Sequence, residues 1–424
     1  MRKRWIRLPG VATDGASSEF TIVIFGIILH PPGILRGCFQ PTAMPSSTRP
    51  RSCCCHLPEV SHAALIDLFD EWQNDGNPFH LLALLPDAER DQVQTLQTIC
   101  NNRGIALTGG VFPALIEGDR FVTRGIQLLR IMDAPLALLL TGVGAETAPA
   151  EVAETLLQHV LSRLCDEEEA TLFCIFDALT PNIATHLDQW YLKLADRVRY
   201  LGVNAGNERF EPAPCLFDNQ RFVSDALLVQ LLPGHPGGRL EHAYGVPEQV
   251  IWATSAQGNR IVQIDWQPAL QVYQRILAEA YGVAVNRDNF YQYAVHFPFG
   301  ILRADGEILV RIPVALDASD AIVCVGEIPE NSVLTLLDAR DGIGRAVTAL
   351  QTTAPTPTAG HLLFYCAGRR MHAGPRAEEE LQAFAASAGD FCGALSLGEI
   401  GGSRSGGYPL FHNATLVDIP WPGR

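Results

Sequence analysis

Charge is scarce in this chain of 424 residues: Asp, Glu, Lys and Arg make up 18% of it, against 47% hydrophobic residues. A chain so poor in charge and rich in apolar side chains can bury enough surface to fold, which excludes an intrinsically disordered protein. Basic residues are the scarcer sign, 31 against 46 acidic, for a net charge of −15. With no cationic excess to neutralise phosphates, non-specific binding to nucleic acid or to an anionic membrane is excluded. Long apolar runs are missing too. The run at 21–29 falls far short of the roughly 20 residues that a membrane-spanning helix needs. Short catalytic signatures are also absent: there is no GxGxxG or GxxxxGK[ST] phosphate loop, no HExxH and no GxSxG elbow. The expectation is a protein that is not an enzyme and engages neither nucleic acid nor membrane.

Cysteine is present, at an odd count of 11. Most of these residues sit inside apolar, strand-like runs such as LFCIF (172–176) and IVCVG (322–326), where a reduced core thiol is expected and a cytoplasmic location follows. The run Cys53-Cys54-Cys55-His56 lacks the second ligand pair that a structural metal site needs. The first 60 residues, basic at the start and rich in Pro, Ser, Thr and Arg over 41–52, read as a disordered leader or a non-native extension.

Helical and strand periods then alternate. Helical spacing covers 62–72, 88–101, 148–165, 185–195, 268–280, 343–351 and 377–387. Strand-like runs cover 80–85, 105–108, 124–131, 172–176, 200–207, 251–255, 260–265, 308–314, 321–325, 333–337 and 362–366. Residues 221–232 read as two strands joined near Ser224-Asp225, residues 352–360 as a flexible connector, and a closing hairpin begins at Gly393. The fold class is mixed α/β: two halves of mixed or antiparallel sheet flanked by helices, in layers.

The chemistry concentrates near the end. Glu399, between Gly398 and Ile400 after an apolar run, faces a desolvation cost unless paired. A glycine- and serine-rich loop over 401–407 allows close backbone approach, and His412-Asn413 follows. Glu399 and His412 can form an acid–base pair if the hairpin joins them, or His412 and Asn413 can hydrogen-bond across the sheet. Asn204 and Asn207, in a strand that runs into a glycine turn, suit either a pocket lining or an ordinary turn. Cys366, before Arg369 and Arg370, is either a buried strand residue or a thiol activated by nearby cations.

These pieces carry a resemblance. The segments GVNAGN (202–207), AYGVP (243–247) and QPALQVY (267–273), then FPFGI (297–301), RIP (311–313), GEIP (326–329), CAGRR (366–370), GEI (398–400) and HNATLV (412–417) are similar, in order and spacing, to the FIST N and FIST C domains of signal-transduction proteins. The resemblance implies a FIST N-like domain over 61–268, a FIST C-like domain over 269–424, and a cytoplasmic sensor of a small molecule such as an amino acid. Arg311, Arg369, Glu399, His412, Asn413, Asn204 and Asn207 are then the candidate ligand-binding residues. The arginines would hold a carboxylate and Glu399 an ammonium group. The sensor would pass its state to a separate partner. An alternative from the same resemblance is a haem-bound nitric oxide sensor acting on a histidine kinase or a cyclic-di-GMP enzyme, with His242 as the axial ligand. An enzyme built on Cys366 or His412 is the reading from outside the family.

Overall fold

The computed structural model describes residues 6–8, 20–22 and 54–422, except 133–135, 165–168, 339–343, 353–357, 389–390 and 403–406. Most of the expected leader, part of the 352–360 connector and most of the glycine-serine loop lie outside the described residues. Near the start, Ile6–Leu8 and Phe20–Ile22 pair antiparallel.

The main body is one strand pattern used three times. Its first use runs β1 (Cys54–Leu57), α1 (His62–Gln73), β2 (Phe79–Pro86), α2 (Val93–Arg103), β3 (Ala106–Phe112), a hairpin β4 (Leu115–Glu117) and β5 (Arg120–Val122), then β6 (Ile126–Met132). The second runs β7 (Leu136–Thr141), α3 (Ala148–Leu161), β8 (Ala170–Asp177), α4 (Ile183–Leu194), β9 (Arg199–Ala205), hairpin β10 (Leu216–Asp218) and β11 (Phe222–Val223), then β12 (Ala226–Pro233). The third runs β13 (Arg239–Glu241), α5 (Arg345–Thr352), β14 (Thr358–Cys366), α6 (Arg376–Ala388), β15 (Phe391–Ser396), hairpin β16 (Glu399–Gly402) and β17 (Pro409–His412), then β18 (Leu416–Pro422). In each use two strands joined through a helix pair in parallel: β2 with β3, β8 with β9, β14 with β15. The strand after the hairpin returns antiparallel to the first of the two, as β6 on β2, β12 on β8 and β18 on β14.

Each hairpin leaves its own sheet and extends another. The pair β4–β5 joins β15, β10–β11 joins β3, and β16–β17 joins β9. The exchange is cyclic, and it yields three six-stranded sheets of the same order: β11-β10-β3-β2-β6-β1, β17-β16-β9-β8-β12-β7 and β5-β4-β15-β14-β18-β13. A glycine recurs at the same register of each crossing strand. Gly109, Gly202 and Gly393 lie opposite Ala83, Cys174 and Leu363, and a Cβ on any of them would collide with the carbonyl oxygen of that partner. Only glycine allows the backbones to pass so closely there.

The sheets are not successive layers. One face of each feeds a shared core containing Leu82, Phe173, Ile175, Leu362, Phe364 and Val417, where the Phe112 and Phe364 rings lie 5.7 Å apart. Helices α3 and α4 cover the other face of the second sheet and α5 and α6 that of the third, while α1 and α2 pack with the first. Each sheet thus has helices to one side, so none serves as a middle layer.

Between β13 and α5 the chain inserts a smaller unit. Two antiparallel sheets there, one including Phe299–Leu302 and Ile308–Arg311, the other including Arg260–Ile264 and Ile322–Cys324, enclose the helix Ala269–Tyr281.

Mixed α/β structure is therefore present as expected, with three differences in detail. The strands either side of Ser224-Asp225 do not form a hairpin with each other; β11 pairs with β10 and β12 with β8 and β7, because each has a longer partner in a different sheet. The closing hairpin starts at Glu399, since β15 before it is an interior strand pairing with β14 and β4. Not all cysteines are reduced: Cys54 and Cys392 form a disulfide that ties the edge strand β1 to β15. Cys55, Cys100, Cys174, Cys215, Cys324 and Cys366 are free thiols.

Candidate functional site

The third crossing brings the polar residues of the closing stretch together. β16 starts at Glu399, whose cross-strand partners are Val203 on one side and His412 on the other. Glu399 has no solvent exposure. Its carboxyl group accepts hydrogen bonds from Ser396 Oγ at 2.6 Å and Thr415 Oγ1 at 2.9 Å, with Thr415 N–H at 3.4 Å. Burial pushes its pKa up to about 7 despite those donors, so near neutrality the group exchanges a proton.

Beyond Val203 and Glu399, Asn204 N–H donates to Gly398 O at 2.9 Å and Leu397 N–H to Asn204 O at 3.0 Å. Gly398 is required by its neighbours: a Cβ there would lie 2.7 Å from the Phe411 ring and 2.8 Å from Asn204 Nδ2. Gly326 presses on the same ring, and a Cβ on it would lie 2.9 Å from Phe411 and 3.2 Å from Arg311 Nε. The Phe411 ring therefore has Asn204 near one side and the Arg311 guanidinium near another, 5.7 Å from the ring centre.

Arg311 comes from the inserted unit and is 2% exposed. It donates to Glu327 O at 2.8 Å, Val310 O at 3.0 Å and Phe411 O at 3.0 Å. Among the described residues no carboxylate forms an ion pair with it, and burial lowers its pKa to about 10. Asn204 and Asn413 are 2% and 1% exposed, and no protein donor among the described residues reaches the Oδ1 of either. Asn413 Nδ2 donates to His412 O at 3.0 Å. The crossing thus holds two buried amide oxygens able to accept hydrogen bonds and a guanidinium that feels the Glu327 charge but hydrogen-bonds no carboxylate among the described residues, a combination that ordinary cores avoid.

Two candidates from the sequence have other work. Arg369 is buried and donates twice to Glu380, at 2.8 and 2.7 Å, and also to His242 O at 2.8 Å. Burial alone would raise the Glu380 pKa, but hydrogen bonding and charge from Arg369 outweigh it and hold the carboxyl below its usual range. Asn207 closes its own turn: Oδ1 accepts Arg209 and Glu211 N–H, both at 3.1 Å, and Nδ2 donates to Glu211 O at 2.9 Å. Arg311, Asn204, Glu399, His412 and Asn413 are the candidates that share the crossing. Ser396, Thr415 and Phe411 join them without having been expected. An unused signal was the likeness of LIEGDRFV (115–122) to LFDNQRFV (216–223), which marks a repeat whose third copy is the closing hairpin.

Cys366 ends β14 with 3% exposure; its Sγ accepts Ala414 N–H at 3.1 Å, and burial, with the Glu399 charge, raises its pKa. That environment disfavours a thiolate.

His242 does not fit an axial haem ligand through Nε2. Its Nδ1 accepts Tyr244 N–H at 3.0 Å, so in the neutral ring the proton sits on Nε2. A metal-bound histidine carries its proton on the other nitrogen and donates it outward. Among the described residues no group of three or more His, Cys, Asp or Glu side chains is placed to hold a metal.

Two family models match the chain in tandem: the FIST N domain over residues 80–267 and the FIST C domain over residues 269–402. A comparison with curated proteins returned no match.

Proposed function

Because this chain belongs to the family that carries the FIST N and FIST C domains, a sensory module of signal transduction, we propose that it senses a small molecule such as an amino acid at the third crossing. We further propose that it acts in the cytoplasm, without catalysis of its own, and passes its state to a separate partner protein. The observation that carries the reading is the pair of buried, unpartnered acceptors, Asn204 Oδ1 and Asn413 Oδ1, at the same crossing as Arg311, whose guanidinium donates to backbone carbonyls and to no carboxylate among the described residues. A ligand carboxylate at Arg311 and ligand N–H groups at the asparagines satisfy all three. Arg369 and Asn207 are not part of this site, since their polar atoms are engaged within the protein. The cytoplasmic location rests on the family reading alone, because the Cys54–Cys392 disulfide removes the argument from reduced cysteines.

The test is a thermal-shift screen of the common amino acids, with calorimetry on those that raise the melting temperature. Arg311→Met and Asn413→Leu should each weaken the strongest responder at least about tenfold, as expected for a lost charged or buried hydrogen bond. Unchanged affinity in both variants would sink the assignment.

A further inference from the structure

The three hairpins are equivalent in register, so their residues can be equated one for one. Glu399 pairs with Val203 as Leu115 pairs with Ala394 and Leu216 with Gly110. Across the hairpins the partners are His412, Val122 and Val223. The next pair is apolar in all three: Ile400 with Phe411, Ile116 with Phe121, and Phe217 with Phe222. Two hairpins therefore carry a Leu–Val pair at the crossing, and the third carries Glu–His.

The hydroxyls that bond Glu399 follow the same rule. Ser396, opposite Cys366, corresponds to Ala205 opposite Asp177 and to Phe112 opposite Pro86. Thr415 precedes Val417 by two residues, as Ala226 precedes Leu228 and Gly125 precedes Gln127, the three being matched by register. All four residues of the polar network are buried, at 0% exposure for Ser396 and Glu399, 3% for His412 and 1% for Thr415. The fold meets the same need twice without any of these groups, and burying an acid is costly.

We infer that Ser396, Glu399, His412 and Thr415 form a recognition site, specialised from an apolar repeat, that takes a small molecule presenting N–H donors, an amine or an amide. This deepens the sensor reading and rests on it, naming the residues that read the nitrogen-bearing end of the ligand. The local chemistry is rich in acceptors: Asn413 Oδ1 beside His412 and Asn204 Oδ1 one residue from Val203 are unpartnered, and the Glu399 carboxyl group, held by Ser396 and Thr415, keeps a further lone pair when ionised. A carboxyl group close to its ionisation point can lose its proton to match an arriving ammonium.

The experiment gives the full chain the second repeat's residues, as S396A/E399L/H412V/T415A, and compares melting and ligand response with the unaltered protein. The probes are the common amino acids, ethanolamine and acetamide. The variant should fold, melt at or above the original temperature, and lose at least tenfold in affinity for every probe that binds. A variant that folds but melts several degrees lower overturns the inference, because the network would then be structural. If the variant fails to fold, Glu399→Gln decides: a tenfold loss supports recognition, and unchanged affinity for all probes overturns it. Response to ethanolamine or acetamide but to no amino acid would sink the amino-acid reading and keep this inference. Equal response of both proteins to amino acids would do the reverse, and no response to any probe would sink both.

Discussion

Arg369 and Glu380 form a two-bond ion pair with the guanidinium wholly buried, and Tyr365 Oη donates to the same carboxylate at 2.6 Å. The pair ties the start of the chain after β14 to helix α6. Removing one partner leaves an uncompensated charge in the core, a cost of about 3–5 kcal/mol. Glu380→Gln should therefore lower the urea midpoint sharply, while Arg369→Met with Glu380→Met should recover much of the loss. A single variant as stable as the unaltered protein would show that the charge is solvated after all.

Glu399 makes stability depend on pH in a direction opposite to that of most carboxylates. Its folded pKa, about 7, lies above the value of about 4.3 expected in the unfolded chain. Between those values the folded state holds a proton that the unfolded state has released. The contribution is therefore complete below pH of about 4.3 and lost as pH rises through about 7, about 4 kcal/mol in all. Glu399→Gln cannot titrate, so the stability of the original protein minus that of the variant should fall across this window. Parallel stability curves would show that the acid is ionised throughout.

The recurring crossing glycine predicts a sharp intolerance. An alanine at Gly202 would drive its Cβ into the Cys174 backbone, which cannot move without breaking β8 from β9. Gly202→Ala, and likewise Gly393→Ala, should abolish cooperative unfolding or cost more than about 3 kcal/mol. At Gly245 a Cβ would meet only ordinary contacts, 3.5 Å from Asp338 O. Gly245→Ala should change stability by less than about 1 kcal/mol. Circular dichroism melts of the set check the contrast.

The disulfide joins residues 338 positions apart. Cross-linking so long a loop restricts the unfolded chain, and bridges of this kind contribute about 2–5 kcal/mol. Reduction, or Cys54→Ser with Cys392→Ser, should lower the melting temperature by the same amount in each case. Mass spectrometry of the non-reduced protein should find the Cys54 and Cys392 peptides linked; two free thiols there would refute the bridge.

Much of the local structure was legible because it depends on near neighbours. The apolar spacing of Val152, Leu156 and Val160 marks α3, and the run LFCIF marks β8, through the periods of helix and strand. The buried role of Glu399 also followed from its apolar neighbours. The short strands β4, β5 and β10 did not show, because three residues are too few to display a period and these hairpins draw their pairing from another sheet. The roles of Arg369 and Asn207 were likewise hidden: whether an arginine at a strand end meets a ligand or Glu380 depends on where α6 returns.

What the order of residues established is the mixed α/β class, the excess of acid over base, and the chemically rich closing stretch, since each follows from composition or from spacing within a few residues. The cyclic exchange of hairpins, the shared core, the Cys54–Cys392 bridge and the meeting of Arg311 with Phe411 and Asn204 came only from the folded chain. Those contacts join segments one to several hundred residues apart, and distant pairing is chosen by the simultaneous burial of many surfaces, which no local stretch encodes.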